Sequence, residues 1–252
     1  MEIKGKKAVV VGGASGMAKA SAEMLAERGA SVAIVDLPTS AGAEVASALG
    51  GSFHPLDVTD FDAAELVINE VAEALGGLHV AVNTAGGGIG MRTLTKEGPH
   101  PLDAFRRTID LNLIATFNLN RMQAFHMAKN EPEDGERGVL INTASIAAFE
   151  GQIGQVAYTA AKAGNAGMTL TMARDLGTLG IRVTSIAPSL FSTGITKGIP
   201  DEFADALTKD AAFPKRMGRP EDYGRHVVAI VETAMLNGSC IRLDAGQRFA
   251  PK

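Results

Sequence analysis

The chain has 252 residues, 46% of them hydrophobic and 21% charged, which excludes a disordered or fibrous protein as a description of the whole. A net charge of −4 gives no support to a nucleic-acid-binding face, and a single cysteine, Cys240, excludes an internal disulfide or a thiolate metal cluster. No apolar run reaches the roughly 18 residues of a membrane-spanning helix and no signal-peptide pattern is present, so we expect a soluble cytoplasmic protein.

Apolar runs rich in β-branched residues alternate with longer segments rich in Ala, Leu and Glu. The predicted strands are Lys7–Val11, Ser31–Val35, Gly51–His54, Val80–Asn83, Val139–Thr143, Arg182–Ile186 and Cys240–Leu243. The predicted helices are Gly16–Arg28, Ser40–Leu49, Ala63–Leu75, Pro101–Lys129, Tyr158–Leu176 and Glu221–Glu232. Several strands are apolar on both faces, as in a parallel sheet covered by helices, and parallel strands need crossover connections. The sequence therefore predicts an α/β protein with one doubly wound parallel sheet, in a single domain spanning residues 1–252.

Two long segments interrupt this alternation, Thr84–His100 and Pro188–Pro214, the second with a predicted short helix at Asp201–Lys209. Both follow the carboxyl end of a strand, where ligands bind in open α/β sheets, so we expect them to form the substrate loops. The polar segment Asn130–Gly138 follows a helix instead, and we expect a solvated turn there.

A glycine-containing segment joins the first strand to the first helix. Gly12 and Gly16 stand in the spacing Gly-x-x-x-Gly-x-Ala, which ends at Ala18. Glycine permits a tight turn and a close approach of the backbone, so that a pyrophosphate can lie at the helix N-terminus. This pattern predicts a dinucleotide site, and an ordinary strand–helix turn is the alternative.

An acidic residue ends the second strand. Asp36 lies twenty positions after Gly16, the offset of a carboxylate that binds the adenosine ribose hydroxyls. A carboxylate there repels a 2′-phosphate, and neither Leu37 nor Ser15 supplies the basic side chain that would attract one. The pattern favours NAD over NADP, although Asp36 could also be a cap before Pro38.

A serine, a tyrosine and a lysine form the second cluster. Ser145 follows the fifth strand, and Tyr158 and Lys162 are four residues apart, on one face of a predicted helix. A lysine charge about 4 Å away at an effective dielectric of ~20 contributes about 4 kcal/mol, enough to lower a tyrosine pKa of about 10 by about 3. We therefore expect Tyr158 to exchange protons near neutrality and Ser145 to hold the substrate oxygen.

Together these motifs resemble the short-chain dehydrogenase/reductase family over essentially the whole chain. The resemblance extends to Asp57-Val58, which is similar to the pair that contacts adenine, and to Asn83-Thr84-Ala85-Gly86 after the fourth strand. It implies a Rossmann-type sheet of about seven strands in the order 3-2-1-4-5-6-7, with helices on both faces. Ala18 and Ser189 stand where the family usually has glycine.

Functional residues are also implied by the family resemblance. Asn112 matches the asparagine that holds a water in the proton relay, and it joins Ser145, Tyr158 and Lys162 as a catalytic residue. The implied cofactor contacts are Gly12, Ser15, Gly16, Met17, Asp36, Leu37, Asp57, Val58, Asn83, Thr84, Ala85, Gly86, Tyr158, Lys162, Pro188, Phe191 and Thr193. The implied substrate contacts are Ser145, Gln152 and Tyr158.

Longer segments, such as Asn142–Gln152 and Ile186–Phe191, resemble the NAD-dependent, homotetrameric 3-hydroxyacyl-CoA dehydrogenases within this family. That resemblance implies an acyl-CoA substrate. The acidic net charge and the absence of a long apolar run give no reason to expect a nucleic-acid or membrane partner. The alternatives are a 3-oxoacyl carrier-protein reductase, a steroid or short-chain alcohol dehydrogenase and, outside catalysis, a subunit of an RNA-processing complex. The five histidines show no metal-ligand spacing, so no metal is expected.

Overall fold

The structure, a computed structural model, describes residues 1–193 and 207–249 and is built around a parallel sheet of seven strands. The strands are β1 (Lys7–Val11), β2 (Ser31–Asp36), β3 (Ser52–Pro55), β4 (Val80–Asn83), β5 (Gly138–Thr143), β6 (Ile181–Pro188) and β7 (Cys240–Leu243). Their order across the sheet is β3-β2-β1-β4-β5-β6-β7, and every pairing is parallel. The predicted doubly wound fold and strand order are confirmed.

Alternate residues of the central strands enter two separate apolar cores, one on each face of the sheet. Val10 and Ile141 belong to the first core, whereas their neighbours Val9 and Leu140 belong to the second. All residues of β5 and β6 are buried, as expected for central strands covered on both sides. Burial of each valine or leucine side chain stabilises the folded state by about 1.5–3 kcal/mol. Apolar contacts on both faces therefore hold the helices against the sheet.

Helices cover both faces of the sheet. They are α1 (Gly16–Glu27), α2 (Gly42–Ala48), α3 (Phe61–Leu75), α4 (Leu102–Ile109), α5 (Ala115–Met127), α6 (Val156–Gly177) and α7 (Pro220–Glu232). The continuous helix predicted over Pro101–Lys129 is interrupted at Asp110–Ile114 by a turn of π-helix. In the described part of the chain, no helix has both the length and the apolar character needed to cross a membrane.

The two predicted loops differ in how much of them is described. The first contains a small antiparallel hairpin, which pairs Leu94–Thr95 with Gly98–Pro99. In the second, residues 201–206 of the predicted helix Asp201–Lys209 lie outside the described ranges, and Leu207 and Thr208 are helical.

A buried arginine joins β6 to the end of α7. The Arg182 guanidinium donates to the carbonyl oxygens of Ile230 and Val231 at 2.8 and 2.9 Å, which satisfies acceptors in the last turn of that helix. It also donates to Glu136 Oε1 at 2.7 Å, and the two side chains are 8% and 12% exposed. The segment Asn130–Gly138 does turn, but the prediction that it is solvated was wrong for Glu136, because Arg182 draws this carboxylate into the fold.

We predict that Arg182→Ala lowers the free energy of unfolding by about 3–5 kcal/mol, because it leaves a buried carboxylate and several carbonyl groups without a donor. The control is Arg121→Ala, since Arg121 pairs with Glu65 at the surface, where both side chains are about 40% exposed. Breaking that pair is expected to cost at most about 1 kcal/mol. Urea unfolding of both variants tests the difference, and equal losses would contradict it.

Candidate active site

The carboxyl ends of the strands open into a cleft with a volume of about 1040 Å³. It lies beside β1 and β4, where the strand order reverses, which is the usual ligand position in this architecture. The predicted residues that line it are Gly12, Ser15, Gly16, Met17, Asp36, Leu37, Asp57, Val58, Thr84, Ala85, Gly86, Ser145, Tyr158, Lys162, Pro188, Phe191 and Thr193. The fold thus brings together residues spread over 182 positions of the sequence, from Gly12 to Thr193.

The turn between β1 and α1 is shaped to receive an anion. Gly12 and Gly16 have positive φ angles of 81° and 54°, and a Cβ on Gly12 would lie 2.9 Å from the Ala85 nitrogen. No acidic residue occupies the first turn of α1 and the Ser15 side chain makes no capping bond, so its N–H groups and helix dipole are left to a ligand. The Ala18 methyl is buried in the core, so alanine fits where the family usually has glycine.

The Asp36 carboxylate is held at the end of β2 by backbone groups. Its Oδ2 accepts from Ala14 N at 2.9 Å, and its Oδ1 accepts from Leu37 N at 2.7 Å. Each carboxylate oxygen can accept a second hydrogen bond, so both can also receive ribose hydroxyls. The glycine turn, the uncapped helix N-terminus and the oriented carboxylate therefore fit a dinucleotide.

Tyr158 and Lys162 lie on α6, on the floor of the cleft. The Lys162 side chain is buried, its ammonium lies 5.7 Å from the centre of the Tyr158 ring, and it donates to the Thr143 carbonyl at 2.7 Å. The helical spacing of four residues thus places the two groups together, as predicted, and the end of β5 supplies the acceptor.

Burial shifts the pKa of both side chains toward the neutral form. It lowers the pKa of Lys162 to about 8 and raises the pKa of Tyr158, which an interaction with the Ser145 hydroxyl partly offsets. The predicted phenol that titrates near neutrality is therefore not found in this structure, because desolvation of the phenolate outweighs its stabilisation. At neutral pH the pair consists of an ammonium and a neutral phenol.

Ser145 begins the short 3₁₀ helix Ile146–Ala148 that follows β5. Its Oγ accepts from Ala147 N at 3.1 Å, which fixes the hydroxyl oxygen beside the cleft. Because that bond uses a lone pair and not the hydroxyl hydrogen, Ser145 can still donate to a substrate oxygen.

Asn112 occupies the π-helical turn between α4 and α5, and π turns in helices are frequent at functional sites. Its side chain exchanges hydrogen bonds with the backbone of Gly87, accepting from the nitrogen at 3.1 Å and donating to the oxygen at 2.6 Å. A Cβ on Gly86 would lie 2.7 Å from Asn112 Oδ1 and 3.4 Å from Lys162 Nζ. The loop after β4 is thus held between the asparagine and the lysine.

Three predicted site residues do not line the cleft. The Asn83 side chain is buried and donates to Gln123 and Asn142 at 2.9 and 3.0 Å, so in this structure it joins β4 to β5 and α5. Asn112 is fully buried beneath the loop after β4. Gln152 lines a neighbouring open depression of about 730 Å³, together with Arg92 and Thr159.

Sequence reasoning missed several residues that line the cleft, among them Thr59, Phe61, Arg107, Asp110 and Leu111. Thr59 directly follows Asp57 and Val58, the predicted adenine contacts, so its position in the sequence could have indicated that it lines the cleft. The others come from α3 and from the α4 region, and no local pattern distinguishes them from ordinary helix surface. No group of three or more His, Cys, Asp or Glu residues suited to a metal occurs in residues 1–193 or 207–249.

Comparison with known proteins identifies close relatives over the full length. A 3-hydroxyacyl-CoA dehydrogenase type-2 from Drosophila melanogaster is 46% identical over 254 aligned positions, covering 99% of this chain and 100% of that protein. The crystal structure of a 3-hydroxyacyl-CoA dehydrogenase type-2 from Mycobacterium avium matches with a TM-score of 0.94 and 42% identity, covering 98% of each chain.

A more distant structure was solved with bound ligands. It is a 7α-hydroxysteroid dehydrogenase in complex with NADH and 7-oxo glycochenodeoxycholic acid, with a TM-score of 0.88 and 27% identity, covering 100% of this chain and 97% of the other. The family model described as short chain dehydrogenase matches residues 6–204. The chain is therefore an oxidoreductase that belongs to the short-chain dehydrogenase family.

Proposed function

We propose that this oxidoreductase interconverts 3-hydroxyacyl-CoA and 3-oxoacyl-CoA with NAD as its coenzyme. One observation carries the proposal: the same cleft is lined by Asp36 and by the three residues Ser145, Tyr158 and Lys162. Full-length relatives with 42% and 46% identity bear the name of this activity, which supports the substrate class.

The coenzyme assignment rests on Asp36. Gly12, Gly16 and the N-terminus of α1 would hold the pyrophosphate, and Asp36 would accept from the adenosine ribose hydroxyls. The charge of a 2′-phosphate would lie against this carboxylate, which disfavours NADP. When bound, the nicotinamide supplies the hydride acceptor or donor.

Ser145 and Tyr158 would act on the substrate oxygen. For reduction of a ketone, the neutral Tyr158 phenol is already the proton donor, while the Ser145 hydroxyl orients the carbonyl oxygen by a hydrogen bond. For oxidation of the alcohol, Tyr158 must first lose its proton, and the Lys162 ammonium stabilises the phenolate. The phenolate would then accept the hydroxyl proton of the alcohol. Asn112 with a water would pass protons between Tyr158 and solvent, away from the tyrosine in oxidation and toward it in reduction.

The depression beside Gln152 is our proposed entrance for the acyl-CoA. Ile153 and Val156 are 56% and 42% exposed along it and offer apolar contact, while Arg92 offers a cation for phosphate groups. It shares α6 with Tyr158, so a substrate lying there has a short path to the phenol.

The alternatives remain distinguishable. A carrier-protein reductase using NADPH is disfavoured by Asp36, whereas a steroid or short-chain alcohol dehydrogenase would use the same catalytic residues and differ only in substrate.

We also propose the homotetramer that the family resemblance implies. Phe117 and Phe125 on α5 and Leu170 on α6 are each about half exposed, which supports self-association.

Replacing Tyr158 by phenylalanine removes the proton donor and leaves the ring in place. Turnover is expected to fall by about 10²–10⁴-fold, the usual contribution of a general acid or base. NADH binding, followed by nucleotide fluorescence, should change little. A variant that keeps a near-normal rate would refute the assignment.

The choice between NAD and NADP tests the proposed role of Asp36. The wild-type chain is expected to have a kcat/KM for NAD that exceeds that for NADP by on the order of a hundredfold, because two negative charges would meet at Asp36. Asp36→Ala should remove most of that preference. Asp103→Ala is the control, since this exposed carboxylate lies outside the cleft, and it should leave the ratio unchanged. Equal use of both coenzymes by the wild type would contradict the proposal.

The pH dependence of the rate tests the proposed roles of Tyr158 and Lys162. Since burial raises the pKa of Tyr158, the phenol stays protonated at neutral pH, and kcat/KM for oxidation should rise with pH. Above the Lys162 pKa of about 8 the ammonium loses its charge, so the rise should weaken there. Reduction uses the phenol and should be nearly independent of pH below that point. Initial rates in both directions test this, and an oxidation rate that falls as the pH rises toward 8 would contradict it.

A further inference from the structure

Tyr223 is the second of the two tyrosines in the chain and lies on α7, where its side chain is fully buried. Its ring meets the Phe191 ring edge to face, with 6.4 Å between the centroids and an interplanar angle of 88°. Its hydroxyl oxygen lies 2.7 Å from Thr143 Oγ1. Tyr223 therefore contacts the wall of the cleft on one side and the end of β5 on the other.

The direction of the hydrogen bonds follows from their partners. Thr143 Oγ1 lies 2.8 Å from the Asn83 carbonyl oxygen, which can only accept, so the threonine hydroxyl donates there. The Tyr223 hydroxyl must then donate to Thr143 Oγ1. The Thr143 side chain is consequently held from two sides, by α7 and by the end of β4.

Thr143 is also the residue that holds the active-site lysine. Its carbonyl oxygen accepts from Lys162 Nζ at 2.7 Å and more weakly from Asn165 Nδ2 at 3.4 Å. Within the described residues, the Thr143 carbonyl oxygen is the only protein atom that accepts a hydrogen bond from the buried Lys162 ammonium. The position of residue 143 is therefore one constraint on where the ammonium lies relative to Tyr158, in addition to the helix that the two side chains share.

We infer that Tyr223 is a positioning residue of the active site, which fixes Lys162 through Thr143 and the cleft wall through Phe191. This inference rests on the proposed dehydrogenase function, because it assigns Tyr223 a part in setting the geometry of that reaction. Tyr223 touches neither Tyr158 nor the reacting atoms, so its effect passes entirely through its two neighbours.

Filling the core does not require the Tyr223 hydroxyl. Phenylalanine would occupy nearly the same volume, and a buried hydroxyl is costly unless it is paired. Burial also raises the pKa of Tyr223, so this hydroxyl remains a neutral donor at any pH at which the enzyme works. The hydroxyl is thus a permanent donor directed at the residue that holds Lys162.

The test uses Tyr223→Phe, which keeps the ring against Phe191 and removes only the hydroxyl. We expect kcat to fall on the order of tenfold, because one buried hydrogen bond that maintains the catalytic geometry is lost. NADH affinity, measured by nucleotide fluorescence, should change by much less, because the Phe191 contact is kept.

A second readout needs no turnover. The chain has no tryptophan and two tyrosines, so tyrosinate absorbance reports only Tyr158 and Tyr223, and Tyr223→Phe leaves Tyr158 alone. Lys162 is neutral at the pH where Tyr158 titrates, but its amine is still an N–H donor near the phenolate. We expect the Tyr158 midpoint in this variant to rise by a few tenths of a pH unit, because this donor is held less closely. The Tyr158→Phe variant identifies the Tyr223 step in the wild type.

A matched control removes a buried hydroxyl that has no hydrogen bond to the site. Thr184 Oγ1 donates to the Leu236 carbonyl at 3.1 Å, and Thr184→Val should change neither kcat nor the Tyr158 midpoint. In a Thr143→Val background, Tyr223→Phe should have little further effect, since both substitutions break the same bond. A Tyr158 midpoint in Tyr223→Phe that stays or falls, or additive losses with Thr143→Val, would overturn the inference.

These outcomes are separable from failure of the proposed function. If wild-type protein oxidises another secondary alcohol but not a 3-hydroxyacyl-CoA, the proposed substrate is wrong and the tests of Tyr223 proceed with the alcohol. If Tyr158→Phe stays active, the proposed chemistry is wrong, whereas the absorbance titration still decides whether Tyr223 positions Lys162.

Discussion

The parallel arrangement of all seven strands is the constraint on which the site depends. When neighbouring strands run in one direction, their carboxyl ends meet at one edge of the sheet, and the residues that follow them must lie side by side. Four groups reach the cleft for this reason: Asp36 at the end of β2, the loop from Thr84 after β4, Ser145 after β5 and Phe191 after β6. An antiparallel pairing of any of these strands would send one of the groups to the opposite edge.

Within that frame, burial governs the chemistry of the two titratable groups. Lys162 lies beneath the cleft and Tyr158 is largely covered, so desolvation opposes the charge on each, and the charge on one stabilises the charge on the other. The lysine keeps its proton at neutral pH, supported by the Thr143 carbonyl, and the tyrosine stays a phenol. In this arrangement the tyrosine hydroxyl is a proton donor, and burial opposes its ionisation.

Close backbone approach is the other feature of the site. Gly86 lies between Asn112 and Lys162, where a Cβ would be 2.7 Å from the Asn112 side chain, and a Cβ on Gly88 would lie 2.9 Å from the Tyr158 ring. The π-helical turn that carries Asn112 leaves regular α-helical hydrogen bonding and turns this amide toward Gly87. Such a departure from regular helix geometry persists only where surrounding contacts stabilise it. Here the stabilising contacts are the two hydrogen bonds from Asn112 to the loop after β4.

The sequence by itself determined the strands, the fold, the acid at Asp36 and the Tyr158–Lys162 pair, because strand and helix periodicity and short motif spacings are local properties of the chain. Only the tertiary structure decided that Asn112 sits in a π turn, that Asn83 is buried in a polar network, that Arg182 buries Glu136, and that desolvation raises the pKa of Tyr158. The bond from Tyr223 to Thr143 joins residues 80 positions apart and has no sequence signal. Each of these depends on which distant atoms surround a group, and that is settled when the helices pack on the sheet.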